Sequence, residues 1–97
     1  MGQRRTTQQI HPEGGPEKAL GLALREIRQA RKLSQEELAF QCNLDRTYIS
    51  LIERGIRSPT VRTVVKLAEV LKVSPSEIIR RMEVLLARPQ RQRGKGG

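Results

Sequence analysis

The sequence contains five stretches in which apolar residues recur every three or four positions, with polar residues between them. That spacing gives a helix one apolar and one polar face, so it predicts five amphipathic helices. The predicted helices cover approximately residues 17–32, 34–42, 45–55, 58–71 and 74–88. Aromatic residues make up only 2% of the chain, which leaves an aliphatic core and favours an all-α fold over a β-sandwich or barrel.

Residues suited to helix ends mark three of the predicted starts. Ser34 stands three residues before Glu37, the spacing of a capping box in which each side chain binds the backbone of the other residue. The stretch 74–77 combines a serine cap, a first-turn proline and a glutamate at the same spacing. Ser58 and Pro59 predict the start of the fourth helix by the same reasoning.

The third predicted helix carries different side chains on its two sides. Asp45 is a suitable N-cap and Gly55 a suitable stop, and between them Ile49 and Ile52 share the apolar side. The opposite side holds Arg46, Thr47, Ser50 and Arg54. A short helix with such a donor-rich face fits the major groove of DNA, where base edges offer matching acceptors. We therefore predict that this helix recognises DNA.

Residues 35–54 have the spacing of a helix-turn-helix motif, in which the second helix enters the groove. The small Ala39 lets the two helices cross closely, and Asn43 stands where the motif usually has glycine. Asparagine tolerates the left-handed backbone that this turn needs, so the motif remains intact. Its inward apolar positions are Leu38, Cys42, Leu44, Ile49 and Ile52.

The chain has a formal net charge of +9, which favours a polyanionic partner such as double-stranded DNA. Residues 17–87 hold thirteen cations and nine acids, and residues 88–97 hold four cations and no acid. We predict a DNA-binding domain over residues 17–87, preceded by a disordered tail over residues 1–16 and followed by a basic disordered tail over residues 88–97. This basic tail either is solvated or follows DNA phosphates without sequence preference.

The composition argues against an enzyme, a metalloprotein and a membrane protein. One cysteine, Cys42, and one histidine, His11, provide neither a disulfide framework nor metal-ligand spacing. No nucleophile–base arrangement or phosphate-binding glycine loop is recognisable, so we expect no catalysis, no metal and no cofactor. No apolar run approaches the ~18 residues of a membrane span, and the N-terminus has no apolar signal core. We expect a cytoplasmic, nucleoid-associated protein in which Cys42 is a core residue.

Six short segments carry a further signal: Leu24–Arg28, Leu33–Ala39, Asp45–Ser50, Ile52–Gly55, Ser58–Pro59 and Val73–Ile78. Together they resemble the Cro/lambda-repressor-like (XRE) helix-turn-helix family across roughly residues 18–86. The run 43–50 followed by 52–55 is similar in particular to the controller proteins of restriction–modification systems. The resemblance implies a compact five-helix, lambda-repressor-like domain that binds a palindromic operator as a homodimer.

The resemblance also implies which side chains contact DNA. Arg46 and Thr47 are expected to read base edges, helped by Ser50, because a guanidinium can engage guanine with two hydrogen bonds. The residues expected to bind phosphates are Gln35, Tyr48, Arg54 and Arg57. Other roles remain open: Arg46 and Thr47 as an ordinary solvated face, Tyr48 as half-buried packing, and Arg57 as a loop cation.

The resemblance further implies that Arg28 and Glu53 form a structural ion pair that ties the first helix to the end of the recognition helix. The apolar residues of the fifth helix span more than one face, so we expect a dimer surface there, with a purely core role as the alternative. These residues are Ile78, Ile79, Met82, Leu85 and Leu86.

The predicted function is therefore a homodimeric transcriptional regulator, most simply a repressor that blocks RNA polymerase at an operator. One alternative is a restriction–modification controller protein, which as an activator would contact RNA polymerase. Another is an antitoxin-type module that captures a protein partner. An RNA-binding or coactivator-type adaptor is a further alternative, although few aromatic residues are available to stack on single-stranded RNA.

Overall fold

The computed structural model describes residues 14–88, and within that range the chain forms five α-helices and no strand. The helices are α1 Gly15–Ala30, α2 Gln35–Cys42, α3 Arg46–Glu53, α4 Val61–Leu71 and α5 Pro75–Ala87. The all-α, five-helix prediction is confirmed, although α1 begins two residues before the predicted Glu17. Most of the two predicted tails lies outside the described residues. No helix of the described chain combines the length and apolarity required to cross a membrane.

The helix starts at Ser34 and Ser74 were predicted correctly. Ser34 Oγ accepts a hydrogen bond from the backbone N–H of Glu37 at 2.9 Å, and Glu37 Oε1 accepts one from the Ser34 N–H at 2.7 Å. This is the complete capping box. At the start of α5, Ser74 Oγ accepts from the N–H of Glu77 at 3.1 Å and lies 3.0 Å from Ser76 Oγ. The hydrogen bond from the Glu77 N–H to Ser74 Oγ is one half of the predicted capping box.

The predicted start of α4 at Ser58 and Pro59 was wrong. Thr60 caps this helix, because its backbone is extended and its Oγ1 accepts from the N–H of Thr63 at 3.1 Å. A capping side chain must reach the amide three residues later, and only the residue directly before the first helical turn is placed to do so. Ser58 and Pro59 instead belong to the loop that follows α3.

The core is aliphatic and joins all five helices. α1 packs against α3 and α5, whereas α2 packs against α3 and α4. Cys42 is buried as predicted, and desolvation raises the pKa of its thiol above the ordinary value of a cysteine. The main cluster consists of Leu20, Leu24, Ile27, Leu38, Ala39, Cys42, Ile49, Ile52, Leu67, Ala68, Leu71 and Ile78. A second cluster between α1 and α5 consists of Ala19, Ala23 and Leu85.

Two glycines let α1 approach the end of α3 closely. A Cβ on Gly21 would collide with the backbone carbonyl oxygens of Ile52 and Glu53. Gly55 has φ +79°, in the left-handed region, and a Cβ there would lie 2.8 Å from Cα of Lys18. The predicted stop at Gly55 is thus confirmed, and the same residue provides room for α1.

Candidate nucleic-acid interface

The helices α2 and α3 and the turn between them form the predicted helix-turn-helix. Asn43 ends α2 with φ 59° and ψ 44°, so asparagine adopts the left-handed conformation that glycine usually provides here. The N–H of Leu44 then donates to the carbonyl oxygen of Ala39 at 2.8 Å. Asp45 is extended and directly precedes α3, although its side chain makes no capping hydrogen bond. The turn therefore places the two helices as the motif requires.

The helix α3 separates its side chains as the periodicity predicted. Ile49 and Ile52 are each 1% exposed and anchor the helix in the core. On the outer side, Arg46 and Thr47 are exposed and Ser50 is half-buried. The structure therefore leaves two of the three predicted base-reading side chains open to a ligand, while their contact with DNA stays a prediction.

Arg28 and Glu53 form the predicted ion pair beneath α3. The guanidinium donates from Nε to Glu53 Oε2 at 2.6 Å and from Nη2 to Glu53 Oε1 at 2.9 Å. Its Nη1 donates to the carbonyl oxygen of Leu33 at 2.7 Å. Since the two side chains are only 9% and 3% exposed, the pair is buried and geometrically fixed. It joins α1 to the last residue of α3.

Gln35 is connected to this ion pair, which the sequence did not reveal. Its Nε2 donates to Glu53 Oε1 at 2.9 Å, and its Oε1 accepts from Nη1 of Arg46 at 3.5 Å. The residues involved are far apart in sequence, and no spacing rule connects them. The half-buried Gln35 therefore contacts both the ion pair and a predicted base-reading residue.

The other predicted phosphate-binding residues lie along and after α3. Tyr48 is half-buried and packs against the core, which agrees with its alternative role as a half-buried packing residue. The guanidinium carbon of Arg57 lies 5.5 Å from the centre of the Tyr48 ring, a cation–π contact. Arg54 follows the last residue of α3 and is exposed. Both arginines are thus at the surface, and their phosphate contacts stay predictions.

The predicted dimer surface on α5 needs a correction. Ile78 is 0% exposed and Leu85 is 9% exposed, because both side chains pack inside the chain against other helices. Assigning these two residues to a dimer surface was therefore wrong. Ile79 is 39% exposed, whereas Met82 and Leu86 are half-buried. These three residues remain candidates for an interface.

Several exposed apolar side chains escaped the sequence analysis. Val84 on α5 is 54% exposed, and Phe40, the only phenylalanine in the chain, is 85% exposed on α2. Phe40 lies one helical turn after the acidic pair Glu36 and Glu37. A periodicity argument overlooks such residues because it looks for the inward face. The structure also exposes Ile56, Val61 and Val65, and it exposes Ile79, which the sequence analysis assigned to the dimer surface.

Comparison with known proteins finds relatives with a helix-turn-helix motif. A helix-turn-helix family model matches residues 24–78. Control protein C.BamHI from Bacillus amyloliquefaciens is 43% identical over 60 residues, which cover 61% of this chain and 74% of that protein. The crystal structure of the restriction–modification controller protein C.AhdI from Aeromonas hydrophila shares 44% identity at a TM-score of 0.62, covering 63% of this chain and 92% of its own.

A third similar protein has been solved with DNA. It is the restriction–modification controller protein C.Esp1396I, crystallised as a tetramer with its natural 35 base-pair operator. That structure shares 30% identity at a TM-score of 0.69 and covers 75% of this chain and 96% of its own.

Proposed function

The chain belongs to the XRE-type helix-turn-helix family of DNA-binding transcription regulators, and we propose that it binds a palindromic operator as a homodimer through α3. The observation that carries this proposal is the exposed, donor-rich side of α3, held on the core by Ile49 and Ile52. A helix supported in this way can enter the major groove without losing its packing.

In the proposed complex Arg46 and Thr47 read base edges. Arg46 is the first residue of α3, and its guanidinium can donate two hydrogen bonds to O6 and N7 of one guanine. Thr47 offers both a hydroxyl group and a methyl group, which suits a thymine or an adenine edge. Ser50 lies one turn later and supplies a further hydroxyl group.

Phosphate contacts fix the register of the helix in the groove without carrying sequence information. We assign this role to Gln35, Tyr48, Arg54 and Arg57. Two observations support it for the arginines: both are exposed, and both follow the end of α3. The cation–π contact of Arg57 with Tyr48 restrains the position of this positive charge at the surface.

For the dimer surface we propose Ile79, Met82 and Leu86 on α5. They are three and four residues apart, so they share one side of the helix, and their exposed or half-buried side chains can contact a second copy of the chain. A two-fold dimer places two recognition helices about 34 Å apart, which is one turn of DNA. The two-fold symmetry of the dimer is the reason why we propose a palindromic operator.

We propose control of a restriction–modification system as the biological role, with simple repression of another operon as the alternative. The support is similarity to C.BamHI at 43% identity and to C.AhdI at 44% identity. Repression needs only that a bound dimer occupies the site that RNA polymerase uses.

Activation would require a surface that contacts RNA polymerase, and we assign that role to Phe40 with Glu36 and Glu37. The phenylalanine is 85% exposed, and its acidic neighbours disfavour a position against DNA phosphates.

Replacing Phe40 by alanine is expected to leave operator binding unchanged and to reduce activated transcription. The measurement is transcription in vitro from the selected operator, with operator occupancy as the control. Equal loss of occupancy and transcription would contradict this assignment.

The central test is selection of DNA from a pool of random duplexes at near-physiological salt. The wild type is expected to enrich a palindromic site. The variant Arg46→Ala is expected to lose preference at one base pair in each half-site, at a cost of ~1–3 kcal/mol there. Weak binding without enrichment by both proteins, with a steep salt dependence, would contradict the proposed function.

A further inference from the structure

Most of the cations on α1 and in the turn after it have no ionic partner within the described part of the chain. Arg28 is the exception, because it is buried against Glu53, and Arg31 donates from Nη2 to the carbonyl oxygen of Lys72 at 3.0 Å. The other three are exposed and form no ion pair with a described residue. They are Lys18, Arg25 and Lys32, which we call the basic edge.

The spacing of the basic edge places its charges along one side of α1. Lys18 and Arg25 are seven residues apart, which is almost two helical turns, and Lys32 follows after another seven residues in the turn that ends the helix. At 1.5 Å per residue the edge is ~21 Å long. Within α1, no residue three or four positions from these cations is acidic. The edge therefore presents positive charge without a compensating carboxylate beside it.

The basic edge borders α3 at both ends. A Cβ built on Gly55, the second residue after α3, would lie 3.2 Å from Cδ of Lys18, so the aliphatic stem of this lysine lies against the end of the reading helix. At the other end, Lys32 stands three residues before Gln35, whose Oε1 lies 3.5 Å from Nη1 of Arg46 at the start of α3.

The side of α1 between these two ends is fixed against α3. Gly21 touches the backbone carbonyl oxygens at the end of α3, and Arg28 is paired with Glu53. Gly21 and Arg28 each follow a cation of the basic edge by three residues, so the side of α1 that contacts α3 adjoins the basic edge on the helix surface. The edge consequently keeps a constant position beside the reading helix.

We propose that the basic edge binds phosphates of the DNA strand that borders α3 in the major groove. Phosphates of one strand recur every 3.4 Å along the DNA axis, so an edge of ~21 Å passes about six of them. Three long, flexible cations can each reach one of these groups. Lys18 precedes residues 24–78, which the family model matches, so the edge extends beyond the matched motif. This inference rests on the proposed function and adds α1 to the surface that meets DNA.

The test replaces each cation of the basic edge by methionine, which keeps an apolar stem and removes the charge. Arg80→Met is the matched control, because it removes the same charge from an exposed arginine that has no ion pair with a described residue. Arg80 belongs to α5, which packs against α1 and α4. A general effect of net charge would therefore appear in the control as well.

The experiment measures the affinity for the selected operator at several salt concentrations, and for the same duplex with the Arg46-dependent base pair replaced. Each phosphate contact contributes about 0.9 to the slope of log K against log salt concentration. A dimer carries two copies of each cation, so we expect each methionine variant to lower the slope by about 1.8. Discrimination between the two duplexes should not change, since phosphate contacts carry no sequence information. Arg80→Met should keep the slope of the wild type.

Neutral methylphosphonates, placed one at a time in the operator, locate each contact. We expect the wild type to lose affinity when the phosphate that Lys18 binds is neutralised. Lys18→Met should be insensitive to the same change, because its contact is already absent.

Two results would overturn the inference. The first is a slope for the three variants that equals the slope of Arg80→Met, and the second is a loss of discrimination without any change in slope. In both cases the proposed function stands. If the wild type itself shows no base preference, the proposed function fails, and the salt slopes on either duplex still decide whether the basic edge binds phosphates. Thermal unfolding monitors the fold of each variant, and glutamine replaces methionine in any variant that does not fold.

Discussion

The guanidinium of Arg28 uses all three of its nitrogen atoms inside the protein. Two donate to Glu53 and the third donates to the carbonyl oxygen of Leu33. A buried charge in this position is stable only while its partner remains, because the remaining ion would be left without solvent or counter-charge. At the scale of single residues, the fold is therefore sensitive to the substitution of either partner alone.

Replacing Arg28 by methionine is expected to lower the free energy of unfolding by ~3–5 kcal/mol, since it leaves the Glu53 carboxylate buried and without its ionic partner. Urea denaturation measures the loss. The matched control is Arg81→Met, which breaks the Arg81–Glu26 pair at 3.1 Å, where both side chains are more than 40% exposed. We expect that variant to lose at most about 1 kcal/mol.

A comparable loss in the two variants would show that the Arg28–Glu53 pair is not buried in solution. The double variant Arg28→Met with Glu53→Leu provides a second check. It removes both charges together, so we expect it to recover most of the stability that the single variant loses.

At the scale of helices, the start of α4 is set by Thr60. Replacing Thr60 by alanine is expected to lower the free energy of unfolding by about 1 kcal/mol, because an N–H of the first turn loses its acceptor. Ser58→Ala is the control and should have almost no effect, since Ser58 lies in the preceding loop. Chemical denaturation measures the free energy of unfolding of both variants. A larger loss for Ser58→Ala than for Thr60→Ala would identify Ser58 as the cap.

The close crossing of α1 and α3 at Gly21 gives a second test at this scale. Alanine has a higher helix propensity than glycine by about 1 kcal/mol, so Gly21→Ala would stabilise an isolated helix. In the protein its Cβ would collide with the carbonyl oxygens of Ile52 and Glu53, and we expect a net loss of about 1–3 kcal/mol. Thermal unfolding shows whether Gly21→Ala stabilises or destabilises the protein. Gln29→Ala, at an exposed position of α1, should change stability little.

Local signals in the sequence were enough to predict most of the helices. The starts at Ser34 and Ser74 depend on a side chain and an amide three residues apart, which a sequence displays directly. The start of α4 was missed because Ser58 and Thr60 both have capping side chains, and the choice between them depends on the path of the preceding loop.

The candidate site was predictable only in part. Periodicity placed Arg46 and Thr47 on the outer side of α3, because their orientation follows from the helix alone. The contact of Gln35 with Glu53 depends on how three helices meet, and no local pattern contains that information. Ile78 and Ile79 show the same limit on α5, since only the packed structure determines that Ile78 faces the core.

At the scale of the whole molecule, assembly depends on the apolar side chains that the fold leaves exposed. Replacing Ile79 by glutamate is expected to shift the chain from dimer to monomer, because a charge would be buried in the proposed interface. Sedimentation equilibrium measures the mass of the assembly, and thermal unfolding at low concentration monitors the fold. Weaker operator binding should accompany dissociation, since two linked recognition helices bind more tightly than one.

Val61→Glu is the control for this prediction, because Val61 is an apolar residue on α4 that is 81% exposed. It should remain a dimer. If Val61→Glu dissociates the dimer and Ile79→Glu does not, the dimer surface lies on α4 and not on α5.

The position of α1 has a consequence for the operator. This helix contacts α3 through Gly21 and packs against α5 through Ala19 and Ala23, so the DNA-reading helix and the proposed dimer surface belong to one rigid unit. In the proposed dimer the distance and angle between the two reading helices are therefore constant. One base pair inserted between the half-sites turns one of them by about 34° and moves it by about 3.4 Å along the DNA axis. A protein with no flexible joint between these elements cannot follow that rotation, so the number of base pairs between half-sites is as much a part of the recognised sequence as the bases themselves.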